Sequence, residues 1–141
     1  MDIRQITDRY HVSPQIDPED AAAIAAAGYA MVVCNRPDAE VPPSHQAAAM
    51  EQALEAHGIP LVVLPVTHQT LTPDFAANHW ETCCGADGPV LAYCASGTRC
   101  TILWAVSNAA TLGVDAVIDG AARAGYDLAG MRPALSALAG R

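Results

Sequence analysis

The sequence is short of basic residues, aromatic side chains and long apolar runs, and each shortage closes off a class of function. Lys and Arg number 7 against 15 Asp and Glu, a formal net charge of −8, and no run of Lys or Arg occurs. Phosphate backbones demand a basic face, so nucleic acid is excluded as a partner. A small anion remains admissible, but only in a local positive pocket. No apolar stretch approaches the roughly 20 residues of a membrane-spanning helix. The N-terminus lacks the basic and apolar segments of a signal peptide, so a cytoplasmic protein with no membrane partner is expected. Aromatic residues make up 5% of the chain, and its abundant alanine suits helices that pack closely. The five cysteines are Cys34, Cys83, Cys84, Cys94 and Cys100. They are odd in number, two are adjacent, and neither they nor the histidines show ligand spacing. Free thiols in a reducing compartment, with no metal and no cofactor, are the expectation.

What is present suits one globular domain over residues 1–141, since 52% of the chain is hydrophobic. Short apolar runs alternate with longer helical patterns. Tyr10 to Ser13, Ala30 to Cys34, Pro60 to Val66 and Val90 to Tyr93 read as strands. Helices are expected from Asp17 to about Ala27, from a Ser44 cap to about His57, from Thr72 onward, and from Cys100 to about Leu112. The remainder, Val114 to Ala139, suits two short helices broken near Gly130 and Pro133. This βαβα order predicts a three-layer α/β fold. Its central sheet is mostly parallel, of about four to five strands, with helices on both faces. Ligand sites in such folds lie at the carboxyl ends of strands, where both Arg36 and Cys94 fall.

The chemistry concentrates in Tyr93-Cys94-Ala95-Ser96-Gly97-Thr98-Arg99. A loop that turns into a helix start aims several backbone N–H groups at one point, and the helix dipole adds positive potential there. Gly97 permits a backbone conformation closed to other residues. Arg99 adds a fixed cation with a planar fork for an oxyanion. A cysteine at the base of such a loop is held as thiolate, with a pKa in the range of roughly 3.5–7.5, and needs no separate base to act as nucleophile. Arg36 either adds potential beside this loop or pairs with Asp38 or Glu40.

Four stretches together resemble a known family: Tyr10-His11-Val12-Ser13-Pro14-Gln15, Asn35-Arg36-Pro37-Asp38, Leu64-Pro65-Val66 and the Cys94 loop. The sequence is similar to the bacterial phosphatase-like domains of β-lactamase-hydrolase-like proteins, which also occur fused to persulfide dioxygenases. Those domains look like dual-specificity cysteine phosphatases and carry either a phosphatase or a sulfurtransferase label. The resemblance implies a cysteine-phosphatase-like fold, with Cys94 as nucleophile and Arg99 as the anion-binding arginine. It also implies a functional link to a persulfide dioxygenase.

Cysteine phosphatases place five residues between Cys and Arg, whereas Ala95, Ser96, Gly97 and Thr98 make four here, a spacing common in rhodaneses. A smaller ring of N–H groups suits one sulfane sulfur better than a phosphoryl group. The expected activity is therefore sulfur transfer through a Cys94 persulfide, from a small anionic or persulfide donor to a thiol acceptor. Hydrolysis of phosphate esters through a phosphocysteine is the alternative, and a non-catalytic anion-binding or redox-sensing module stands third. A phosphatase also needs a proton donor. The candidates are Asp74, which equally suits a first helical turn, and His68. Relatives of the motif often carry Ser or Thr where Cys100 stands. Its thiol is either a resolving or sulfur-accepting group, or a small buried residue of the helix start.

Overall fold

The computed structural model describes residues 1–140. Five strands form one sheet in the order β1-β2-β5-β3-β4. They are β1 (Arg4–Gln5), β2 (Tyr10–Ser13), β3 (Met31–Cys34), β4 (Leu61–Val63) and β5 (Val90–Tyr93). β2, β5, β3 and β4 run parallel, and only the edge pair β1–β2 is antiparallel. Among the described residues six α-helices accompany them: α1 (Ala21–Ala26), α2 (Ala47–Glu55), α3 (Pro73–Cys84), α4 (Thr98–Leu112), α5 (Val114–Arg123) and α6 (Arg132–Ala139).

Side chains alternate across a strand, and β5 shows what that builds. Val90 and Ala92 join the core made with Trp104, Ala105 and Ala109 of α4, Val117 and Ile118 of α5 and Leu135 of α6. Leu91 and Tyr93 join the opposite core, with Ile24 of α1 and Met50 and Leu54 of α2. All four β5 residues are buried, as a strand covered on both faces requires. Parallel neighbours β2 and β3 flank β5, so its C-terminal end, where Cys94 follows, lies at the middle of the sheet's carboxyl edge.

Several boundaries differ from the sequence expectation. The strand read as Pro60–Val66 ends at Val63. The chain nevertheless stays alongside β3, since Leu64 N donates to Cys34 O at 2.9 Å and Val66 N to Asn35 O at 3.0 Å. Pro65 between them has no N–H to extend the ladder. Ser44 does not cap α2. It lies in a 3₁₀ turn, and the cap comes from Asp38, whose Oδ1 accepts from Ala47 N at 2.9 Å. The break before α6 spans residues 124–131, taking in Gly130 as expected, with Gly125 (φ +97°) near its start. Pro133 stands in the first turn of α6, where its missing N–H costs nothing. The edge strand β1 went unread because two residues carry no periodicity.

Candidate active site

The loop after β5 has one backbone position that dictates its composition. Gly97 caps α4 with φ +92°, and a Cβ built there would strike the Tyr126 hydroxyl. Conformation and space both require glycine. Tyr126 Oη donates to Ser96 O at 3.0 Å and braces the loop from outside. Inside the loop, Ser96 Oγ accepts from Thr98 N at 3.3 Å and donates to Thr98 Oγ1 at 2.9 Å. Gln15 N donates to Ala95 O at 3.3 Å and Cys94 N to Ser13 O at 3.4 Å, tying the loop to the end of β2. The helix starts at Thr98, two residues earlier than expected, so Arg99 belongs to its first turn.

Cys94 lies at the base of this loop, with its sulfur enclosed. Gly97 N donates to Cys94 Sγ at 3.1 Å. Hydrogen bonding from the Cys100 thiol is the strongest influence on Cys94, and the Cys100, Gly97 and Ser96 amides add to it; together they pull the thiol down to about 5 against the opposing effect of burial. Cys100, fully enclosed, is pushed well above the ordinary thiol range by burial and then by its thiolate neighbour. The pair is thus one thiolate and one protonated donor.

Arg99 is buried, and its end-on fork grips a single carboxylate. Nη1 donates to Glu40 Oε2 at 2.9 Å and Nη2 to Glu40 Oε1 at 2.8 Å, while Nη1 also donates to Val66 O at 2.8 Å. Among the described residues the Nε–H and the second Nη2–H have no protein acceptor, and these two form the side-on fork of a guanidinium. The Arg99 guanidinium holds the Glu40 carboxyl below its ordinary range, with Arg36 assisting. Of the two pairings open to Arg36, the structure has Glu40: Nε donates to Oε1 at 3.2 Å and Nη2 to Glu40 O at 3.4 Å. Its Nη1 donates to Gln15 Oε1 at 3.2 Å. A continuous ring of contacts therefore runs from Ala95 through Gln15, Arg36 and Glu40 to Arg99.

A cavity of about 320 Å³ opens over the loop, lined by Ala95, Ser96, Thr98 and Arg99 together with Glu40, Thr67, His68 and Gln69. His68 is thus brought to the site. Asp74 is not: it is exposed in the first turn of α3 and lines no part of this cavity. Its helix carries the cap that the sequence suggested, with Thr72 Oγ1 accepting from Phe75 N at 3.1 Å. Glu40 and Tyr126 were missed as site residues, because they stand far from the loop in sequence and carry no local motif. Among the described residues no group of three or more His, Cys, Asp or Glu could hold a metal ion. No helix among them is long and apolar enough to cross a membrane.

Behind the loop runs a buried polar chain. Tyr10 Oη donates to Cys100 O at 2.7 Å and lies 3.0 Å from His79 Nε2. Asn35 Nδ2 lies 3.2 Å from His79 Nδ1 and donates to Leu64 O at 2.9 Å. With the Tyr10 proton committed to Cys100 O, His79 must donate from Nε2 and accept at Nδ1. Burial holds His79 neutral, with its pKa lowered to about 4. The chain fastens the start of α4 to the ends of β3 and β4.

A family described as "Beta-lactamase hydrolase-like protein, phosphatase-like domain" matches residues 2–111. The β-lactamase hydrolase-like protein of Agrobacterium fabrum (strain C58) is 28% identical over 105 residues, 74% of this chain and 24% of its own length. Its counterpart from Xylella fastidiosa (strain Temecula1) is 29% identical over 108 residues, 77% of this chain and 25% of its own. The chain thus spans about a quarter of the length of these curated relatives. The crystal structure of a candidate phosphatase from Neisseria meningitidis Z2491 superposes with a TM-score of 0.88 at 34% identity, covering 98% of this chain and 99% of that one. P. aeruginosa TpbA, at 18% identity and a TM-score of 0.69 over 100% of this chain and 85% of that one, shares the fold.

Proposed function

The chain belongs to the family of phosphatase-like domains of β-lactamase hydrolase-like proteins and has a cysteine-phosphatase-like fold, and from this we propose that it is a cysteine-dependent phosphatase acting on small phosphate monoesters. The observation that carries the proposal is a Cys94 thiolate, drawn down to about 5, at the base of a loop whose Ala95, Ser96, Thr98 and Arg99 line one cavity. The thiolate attacks phosphorus in line as the bond from phosphorus to the ester oxygen breaks. Loop N–H groups and Arg99 hold the equatorial oxygens as their charge develops. The departing oxygen takes a proton from His68, the one histidine that lines the cavity. Water then gives a proton back to His68 and attacks the phosphocysteine, the S–P bond breaks, phosphate leaves and the thiolate is restored.

Glu40 positions Arg99 by occupying its end-on fork, which leaves the side-on fork for the anion. Five free thiols suit a cytoplasmic setting, and the acidic chain suits a small anionic substrate without nucleic acid or membrane. The test is hydrolysis of an aryl phosphate by the wild type and by Cys94→Ser, with acid-quenched mass spectrometry of the Cys94 peptide. A phosphoryl adduct during turnover, absent in Cys94→Ser, is the expected result. Turnover that persists in Cys94→Ser rejects the assignment.

The four-residue spacing and the Cys100 thiol against the Cys94 sulfur favour a second reading, transfer of sulfane sulfur. It ranks behind hydrolysis because the cavity has room beyond the loop for far more than one sulfur atom, and because His68 offers a proton that persulfide exchange does not need. A persulfide donor and an aryl phosphate assayed in parallel decide the order. A link to a persulfide dioxygenase belongs to this second reading.

A further inference from the structure

The walls of the cavity beyond the anion loop come from Glu40 and from Thr67, His68 and Gln69. The imidazole of His68 is the one ring among them, none carries a branched aliphatic side chain, and among the cavity's other lining residues only Ala95 is apolar. A more apolar concavity lies elsewhere, a space of about 530 Å³ lined by Trp80, Trp104 and Leu112 among others. An aromatic leaving group gains affinity by burying its ring against apolar walls. Here it would instead lie against the Gln69 amide and the Glu40 carboxylate and give them no hydrogen-bonding partner.

Glu40 adds a second restriction. Its carboxylate is ionised and offers about four acceptor sites. Oε1 receives Arg99 Nη2 and Arg36 Nε, and Oε2 receives Arg99 Nη1, so Oε2 has capacity for a further donor. A neutral hydroxyl supplies that donor. A second anionic group on the substrate would meet this carboxylate and the −8 charge of the chain.

Resting on the phosphatase reading, we propose that the substrate is a small monophosphate whose leaving group is neutral and polyhydroxylated, of the sugar or polyol phosphate class. Glu40 and Gln69 take up its hydroxyls, and aryl phosphates such as phosphotyrosine are disfavoured. Binding separates this from reactivity, because aryl esters are better leaving groups whatever the pocket prefers. The Cys94→Ser protein is titrated calorimetrically with glucose 6-phosphate, phenyl phosphate and inorganic phosphate. Glucose 6-phosphate is expected to bind about tenfold or more tightly than phenyl phosphate, the loss that follows when one or two wall groups go unpaired. In Gln69→Leu added to Cys94→Ser, that preference should shrink several-fold.

Phenyl phosphate binding as tightly as glucose 6-phosphate overturns the substrate class, whether or not the wild type hydrolyses esters. A preference unchanged by Gln69→Leu overturns the assignment of the walls. Selective binding of glucose 6-phosphate by a wild type that hydrolyses neither ester supports the ligand class and overturns the phosphatase reading alone. Binding of neither ester overturns both.

Discussion

Replacing Cys100 with alanine tests the contact that most depresses the Cys94 thiol. The Cys100 thiol is the leading influence on Cys94, whose pKa stands at about 5. A hydrogen bond to a charged group contributes about 1.5–3 kcal/mol, and one pKa unit corresponds to about 1.4 kcal/mol. Its loss should therefore raise the Cys94 pKa by about one to two units, leaving the amides of Ser96, Gly97 and residue 100 to hold the rest. Cys100→Ser keeps a donor of similar reach and should shift the midpoint much less. The assay is the initial rate of iodoacetamide modification of Cys94 between about pH 4 and pH 9, followed on the Cys94 peptide so that the other thiols do not interfere. Far-ultraviolet circular dichroism checks that the buried alanine is accommodated. A Cys100→Ala midpoint within a few tenths of a unit of wild type refutes the reasoning. So does a serine variant that shifts as far as alanine, because packing and not donation would then be responsible.

Linkage gives a second expectation: a thiol depressed on folding stabilises the protein fully above its unfolded pKa, and that stability is lost as pH falls through the folded value of about 5. The melting temperature of the wild type relative to Cys94→Ser should therefore rise from about pH 5 to pH 9 and then level off; a flat difference contradicts a native thiolate. Gly97→Ala combines φ +92° with a clash against Tyr126 and should cost about 1–3 kcal/mol in denaturant unfolding, besides most of the activity. Glu40→Gln leaves Arg99 held by Val66 O and one amide oxygen, and should weaken inorganic phosphate binding in titration by about tenfold. Asp74→Asn should leave hydrolysis unchanged, while His68→Gln should slow an alkyl phosphate by about a hundredfold and an aryl phosphate far less; the opposite pattern would make Asp74 the acid after all.

The strands were legible because each is a short apolar run closed by turn residues, and β5 most of all because both its faces are buried. The loop was legible because Cys94, Gly97 and Arg99 are neighbours in sequence and each serves a separate physical need. What the sequence could not show was contact across distance. Glu40 grips Arg99 from 59 positions away, and the Asn35–His79–Tyr10 chain joins three separate segments. The choice between Asp74 and His68 was also tertiary. Both follow β4, and only the path of residues 64–70 decides which side chain reaches the cavity. Pro65 misled the strand boundary because the chain keeps its course beside β3 after the regular ladder has stopped.

The brace from Tyr126 has a bearing on where this unit could be cut. The family match ends at residue 111, while Tyr126 lies beyond it, between α5 and α6. Its hydroxyl is the outer support of the Ser96 carbonyl, and Arg4 fixes the same segment by donating to Ala124 O at 3.0 Å. A fragment trimmed at residue 111 would contain every residue of the Cys94 motif and still lose the wall that the loop leans on. A piece that keeps this loop braced is therefore longer than the stretch the family match covers.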